Sequence, residues 1–473
     1  MPDASSLILD APALQAAFAR IHAASRQEMM PSLATRRRRL DALAALVDDH
    51  GERLAGAIAA DFGHRSQHES RLLEFFPSRE GIRHARRRLK QWMAPRRRPV
   101  SLWFQPGRAE LRPQPLGCVG IISPWNYPIY LALGPLTAAF AAGNRALLKM
   151  SEFTPSTTSV FAELAARYFS SDELAVVGGD QPLAAAFAAL PFDHLLFTGS
   201  TAVGRHVMQA AAANLTPVTL ELGGKSPALI APDFPVETAT SRILAGKCLN
   251  AGQTCIAPDY VLLPAAELPV FIQAARQVVA ARYPDLAANR DYSAIVNDRH
   301  WQRLQGLLDE ALANGAEIIP LSDSQNADTR RLPPTLIINP DPNWRVMQEE
   351  IFGPLLPVIT YQHLDEALAF INARDRPLAL YLFDRDRRRI ARVLDETIAG
   401  GVTVNDTILH IAQDELPFGG VGLSGMGHYH GCAGFDTFSK LKPVFHQSRL
   451  NAMALFDPPY GVLFERLLKI LLR

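Results

Sequence analysis

Residues 117–150 read GCVGIISPWNYPIYLALGPLTAAFAAGNRALLKM. GCVGIIS at 117–123 is a short apolar run of the kind shown by a strand buried on both faces. Ile129 to Ala142 predicts a helix, and RALLKM at 145–150 predicts a second strand. The alternation continues downstream. Ser156 to Phe169 carries Val160, Phe161, Leu164, Ala165, Tyr168 and Phe169 at helical spacing. ELAVVGG at 173–179, DHLLFTGS at 193–200 and TPVTLEL at 216–222 extend the strand series. Strands alternating with helices imply an α/β fold, with a parallel sheet covered on both faces.

Outward from this block, residues 12–92 are rich in Ala, Leu, Arg and Glu at helical spacing and predict several amphipathic helices. The Pro- and Arg-rich stretch from Pro95 to Pro115, with SLWFQPGRAELRP, predicts an extended hairpin. A second alternating block begins near Ser226 with SPALIA and runs to about residue 411. The Gly-rich stretch PFGGVGLSGMGHYHG at 417–431 leads to a C-terminal tail. Its last twelve residues, VLFERLLKILLR, set Arg466, Lys469 and Arg473 on one side and Phe464, Leu467, Leu468, Leu471 and Leu472 around the rest. This is an amphipathic helix. Packing on the protein's own body or on a partner subunit is the favoured reading, with peripheral membrane contact as the alternative.

The 473 residues make about three structural units at ~150 residues each. A net charge of +1 gives the whole chain no field that would draw nucleic acid. The basic runs at Arg36 to Arg39, Arg86 to Lys90 and Arg96 to Arg98 read as solvated helix faces or a domain edge, with an anionic lipid or acidic partner surface as the alternative. Four cysteines without a CxxC pair fit a reducing compartment. MPDASSLILDAP shows no basic stretch followed by an apolar core, so no signal peptide is expected. The longest apolar run, Ile129 to Gly143, is shorter than the ~20 residues a bilayer needs. A soluble cytoplasmic protein is expected.

The candidate chemistry lies mostly at strand ends. Glu221 closes an apolar strand and is followed by Leu222, Gly223 and Gly224, where open α/β sheets place active groups; burial would make it a base near neutral pH. Asn126 in SPWNYP is held between two prolines and can donate to an oxyanion. Cys255 in AGQTCIAPDY sits among small and polar residues. Taken singly, each also has a plain structural reading: a strand-end carboxylate, a turn residue, a small buried thiol. Gly199 and Gly204 flank the start of a helix that could hold a pyrophosphate. The spacing is not GxGxxG, and Arg205 and His206 stand where a P-loop needs Lys and Ser or Thr, so ATP hydrolysis of that type is not supported. Lys149, Ser151 and Glu152 could bond a ribose. Glu349 and Glu350 form a carboxylate pair read as acid/base, metal-binding or simply solvated. HYHGC offers His428, His430 and Cys432, short of the four ligands of structural zinc, and no metal is expected.

SPWNYP, LLKMSE, FTGSTAVG, LELGGKSP, GQTCIAPDY, EEIFGP and PFGGVGLSGMG occur in that order across more than 300 residues. Together they resemble the aldehyde dehydrogenase superfamily. VNDT at 404–407, HGCAGFDTFS at 430–439 and the Pro-Pro-Tyr at 458–460 are similar to its class 3 branch, and within it to bacterial coniferyl aldehyde dehydrogenases. The resemblance implies Cys255 as nucleophile, Glu221 as the base that activates water, and Asn126 with the Cys255 amide as oxyanion donors. It implies Lys149 and Glu152 near the adenine ribose, Gly199, Ser200 and Gly204 at the pyrophosphate, Glu350 on the nicotinamide ribose and Phe352 beside that ring. Trp125, Ser151 and Leu222 within the same motifs are counted with the cofactor site. Met150 departs from the usual Pro, and Cys432 from a frequent Lys. Glu152 would repel a 2′-phosphate, so NAD is expected first and NADP second.

The resemblance also implies three parts. These are a Rossmann-like cofactor domain (1–94 and 116–222), a catalytic α/β domain (223–411) and a β bridging arm used in oligomers (95–115 and 412–445), followed by the tail 446–473. The short N-terminal region points to a homodimer. An acylating enzyme that hands its thioester to coenzyme A would lack the water-activating Glu. A catalytically silent relative would have lost the Cys, Glu or Asn, and all three are present. The substrate is expected to be an aromatic aldehyde or a medium- to long-chain aliphatic one, with a membrane-associated fatty aldehyde enzyme as the alternative.

Overall fold

Five apolar runs of the first block fold as parallel strands: β1 (Cys118–Ile122), β2 (Arg145–Lys149), β3 (Leu174–Val177), β4 (His194–Thr198) and β5 (Val218–Glu221). In the computed structural model they join a short antiparallel strand, β6 (Gly425–Met426), in a sheet of order β6-β5-β4-β1-β2-β3. The structure describes residues 11–323 and 328–472; most of the N-terminal stretch read for a signal peptide, and Arg473 of the terminal helix, lie outside the described residues.

The unbroken hydrophobicity of these strands has a packing cause. Val119 and Ile121 of β1, with Ala146 and Leu148 of β2, pack in one core with helices Leu33–Phe62, Tyr130–Ala142 and Pro155–Tyr168. Cys118, Ile122, Leu147 and Leu195 face the opposite way, into a second core with helices Ala11–Gln27, Gln181–Ala188 and Thr201–Ala212. Both faces are covered, so no polar alternation is needed. A side chain at Gly120 would come within 2.6 Å of the Phe192 ring, which explains the glycine inside a buried strand.

The second block forms a seven-stranded sheet. Pro227–Ile230 lies near its centre, and Glu317–Pro320 is its antiparallel edge. A third sheet pairs Arg96–Arg98 with Arg108–Pro115, the expected hairpin, and adds Ser439–His446 along the outer side. Of the segment 412–445, only Ser439 onward lies in this sheet, while Gly425–Met426 pairs with Leu220 and Glu221.

One expectation needs correction. The Arg36 to Arg39 run is only half solvated. Arg36 and Arg39, three apart on the helix, both turn inward and are buried. Arg36 Nη1 donates to the carbonyls of Ala141 (3.0 Å) and Ala142 (2.7 Å), end groups of helix Tyr130–Ala142 that have no partner within the helix. Arg39 pairs with Glu173 at 3.0 Å. Arg86, Arg87, Arg88, Lys90, Arg97 and Arg98 are exposed as expected.

The C-terminal helix, Val462–Leu471, is amphipathic as expected. None of its residues is buried, and its ring contacts are with the adjoining Phe456 and Tyr460. Among the described residues no helix is long and apolar enough to cross a membrane, and all four cysteines are free. The Ile129 to Gly143 run is instead a core helix.

Candidate active site

The carboxyl ends of β5, β4, β1 and β2 share one edge of the sheet. Thr198 pairs with Glu221, and Ile122 pairs with both Phe197 and Lys149. Open α/β sheets bind ligands beyond this edge. Each strand delivers a candidate residue there. Glu221 ends β5, Gly199 follows β4, Asn126 lies in the turn after β1, and Lys149 ends β2.

Cys255 comes from the second block, in the turn between helix Val236–Cys248 and strand Tyr260–Pro264. Asn250 and Ala251 both take left-handed backbone, with φ of 51° each, at a cost of order 1 kcal/mol apiece. Neighbouring side chains hold them there. The Glu69 carboxylate accepts from the Asn250 amide at 3.1 Å. The Gln253 side chain donates to the carbonyls of Asn250 (2.9 Å) and Ala294 (3.0 Å) and accepts from the Val296 amide (2.9 Å). Cys255 itself is half-buried, and the backbone amides of Cys255 and Ile256 favour its thiolate. Burial outweighs them and pushes the thiol up to about 12, with the Glu350 and Glu221 carboxylates adding to the rise.

Glu221 is buried, and neither of its oxygens has a hydrogen-bond partner among the described residues. Burial holds its carboxyl well above the usual carboxylate range. Asn126 is also buried. Its Nδ2 donates to the Gln253 carbonyl at 3.2 Å, which uses one of two amide hydrogens.

The dinucleotide residues fall in three groups. Ser200 caps helix Thr201–Ala212 through its Oγ, which accepts from Val203 N at 3.4 Å. Side chains on Gly199 or Gly204 would strike Phe197 at 2.5 Å or the buried Leu222 at 2.7 Å, so the backbone there stays bare at a helix N-terminus. Lys149 Nζ meets Glu152 at 3.0 Å, and Ser151 Oγ accepts from Phe153 N at 3.2 Å. The third group lies near Cys255. A side chain on Gly223 would fall 2.0 Å from Glu350, whose Oε1 has no partner among the described residues. Burial, then Asp259, push the Glu350 carboxyl up to about 8. The Phe352 ring stands edge-on to Trp125 at 5.3 Å, on a left-handed backbone of φ 48°. Bare glycines at a helix start and a buried carboxylate with a free oxygen fit a nicotinamide dinucleotide.

HYHGC does not converge on one point. His428 is exposed, His430 meets the Tyr130 hydroxyl at 3.3 Å, and the Cys432 sulfur lies 3.8 Å from Arg96. Other residues escaped notice in the sequence. Lys225 and Asp259 sit inside LELGGKSP and GQTCIAPDY, yet their pairing shows only in three dimensions. Arg65, Glu69, Glu74 and Asn250 brace the Asn126 and Cys255 turns, and no local pattern marks them.

Residues 8–444 match the aldehyde dehydrogenase family. The chain belongs to that family. It is 53% identical over 454 residues to the probable coniferyl aldehyde dehydrogenase of Pseudomonas aeruginosa, covering 96% of this chain and 95% of that protein. The solved substrate-bound AldH of Staphylococcus aureus superposes with a TM-score of 0.92 at 37% identity, covering 97% of this chain and 99% of that one. A betaine aldehyde dehydrogenase from Staphylococcus aureus, solved in complex with NAD+, gives a TM-score of 0.84 at 26% identity, covering 95% of this chain and 92% of that one. As an aldehyde dehydrogenase of the class 3-like branch, the protein oxidises aldehydes to carboxylic acids with NAD(P) as cofactor.

Proposed function

We propose that the Cys255 thiolate attacks the aldehyde carbon to form a thiohemiacetal. The free hydrogen of the Asn126 amide and the Cys255 N–H hold the oxyanion. NAD(P)+ supplies the hydride acceptor that turns this adduct into a thioester. Glu221, as carboxylate, takes a proton from the water that attacks the thioester; the acid leaves and Cys255 is restored. One observation carries the reading. Glu221 is buried at the ligand edge with neither carboxylate oxygen partnered among the described residues, and the Asn126 amide is tied to the Cys255 turn through the Gln253 carbonyl at 3.2 Å.

In the same reading, Gly199, Ser200 and Gly204 hold the pyrophosphate, and Lys149, Ser151 and Glu152 the adenine ribose. Glu350 holds the nicotinamide ribose, with Trp125, Leu222 and Phe352 beside the ring. The exposed Glu152 carboxylate favours NAD over NADP by repelling a 2′-phosphate. The substrate is an aromatic aldehyde such as coniferaldehyde, or a medium- to long-chain aliphatic one. The name of the 53% identical relative supports the first. Assays of coniferaldehyde, benzaldehyde, hexanal and decanal with NAD and with NADP test the choice. Coniferaldehyde with NAD is expected to lead; a preference for decanal would select the aliphatic class, and a preference for NADP would overturn the cofactor reading.

The proposed working form is a cytoplasmic homodimer joined through the arm. Leu102, Trp103, Phe104 and Phe445 expose apolar surface on it. Light scattering of the purified protein checks the oligomer. A monomer at micromolar concentration would count against it.

A further inference from the structure

We infer that Arg65 is a positioning residue for the oxyanion donor, acting through the main chain of Asn126. The inference rests on the role proposed for Asn126. Arg65 is buried and paired at 3.1 Å with Glu74, also buried. Such a pair adds little stability compared with apolar residues of the same shape, so what it holds is the more informative question. Arg65 Nη1 donates to the Asn126 carbonyl at 2.7 Å. The guanidinium lies over the rings of Tyr127 (4.8 Å) and Phe62 (5.1 Å), which fix its plane. Glu74 Oε2 accepts from the amides of Ile129 (2.7 Å) and Tyr130 (3.3 Å). One ion pair therefore grips both ends of the turn that carries Asn126.

The turn is then registered against the nucleophile. Asn250 Nδ2 donates to the Asn126 carbonyl at 3.0 Å and to the Gln253 carbonyl at 3.2 Å. The Gln253 carbonyl is also the acceptor for Asn126 Nδ2. Main chain and side chain of Asn126 are both tied to the Cys255 turn, and Arg65 supplies the charged donor. A displacement of about 1 Å at a reacting centre costs on the order of 100-fold in rate.

The test is a double-mutant cycle on the full-length protein: R65M, N126A and R65M/N126A, with kcat expressed per titratable Cys255 thiol. R65M is expected to lower kcat about 10- to 100-fold, with the aldehyde KM and the NAD Kd changed less than about threefold. R65K, which keeps a charged donor, should recover most of the loss. In the N126A background R65M should cost nothing further. A residue that merely supports the fold would lower kcat by the same factor in both backgrounds, and that result would overturn the inference. If N126A alone keeps full kcat, the oxyanion reading fails first and takes this one with it. Should R65M not fold, R65M/E74Q, which removes both buried charges, replaces it in the same cycle.

Discussion

Half-buried Lys225 and buried Asp259 form an ion pair that grips the chain on both sides of Glu350. Lys225 Nζ donates to the carbonyls of Val346 (2.8 Å) and Glu349 (2.9 Å), and Asp259 Oδ1 accepts from the Ile351 amide (3.0 Å). The peptide before Glu350 and the peptide after it are thus fixed by one pair. Lys225 also opposes the upward push of burial and Asp259 on the Glu350 carboxyl.

Lys225→Met should therefore act on the cofactor more than on the aldehyde. Asp259 would be left buried and unpaired, a cost of about 3–5 kcal/mol. We expect a lower melting temperature and a KM for NAD raised about tenfold, with the aldehyde KM nearly unchanged. Steady-state kinetics at varied NAD, beside thermal unfolding, separate the two. A stable variant with an unaltered NAD KM would show that the pair does not place Glu350.

The parallel sheet was legible in the sequence because its strands are buried on both faces and read as unbroken apolar runs. The strand-end residues Glu221, Lys149 and Gly199 were legible for the same reason: strand ends mark the ligand edge. The supporting charges were not. Arg36 and Arg39 look like solvated helix residues until the carbonyls of a distant helix end are brought beside them. Arg65 and Asn126 are 61 positions apart. Such pairings come from tertiary contact, which single-chain periodicity does not encode. The terminal helix was legible as a helix, but its pattern specifies an apolar face and not what covers it.

Cys255→Ala should abolish dehydrogenase activity and leave NAD binding nearly intact. A finer test concerns the thiol's ionisation. Burial is the main reason its pKa is high, and the Glu350 and Glu221 charges add to it. Glu350→Gln removes one negative neighbour, so less work is needed to form the thiolate. The pH profile of iodoacetamide labelling at Cys255 should move to lower pH. The gap from wild type should open only above about pH 8, where Glu350 is charged. A shift to higher pH would mean that Glu350 does not act on the thiol through its charge.

Glu221→Gln should slow deacylation while leaving thiol attack possible. The acyl-enzyme should accumulate and be visible by intact-mass spectrometry after one turnover with aldehyde and NAD. Normal turnover with no adduct would remove Glu221 as the base.

The same variant should also be more stable than wild type, increasingly so as pH rises. The folded-state pKa of Glu221 lies well above its ordinary value near 4.5, because burial penalises the carboxylate. The folded chain therefore binds this proton more tightly than the unfolded chain does. What Glu221 contributes to stability is fully present below pH 4.5 and is lost as pH climbs toward the raised value. Each pH unit in that window costs about 1.4 kcal/mol. Gln carries no such cost, and other titrating groups cancel in the comparison. Glu221→Gln should melt within roughly 1 °C of wild type at pH 4.5 and roughly 2 °C or more above it at pH 8. A pH-independent difference would mean that water or a neighbour compensates the charge in the folded protein. For the base proposed above, this cost is the stability–activity trade expected of a buried carboxylate.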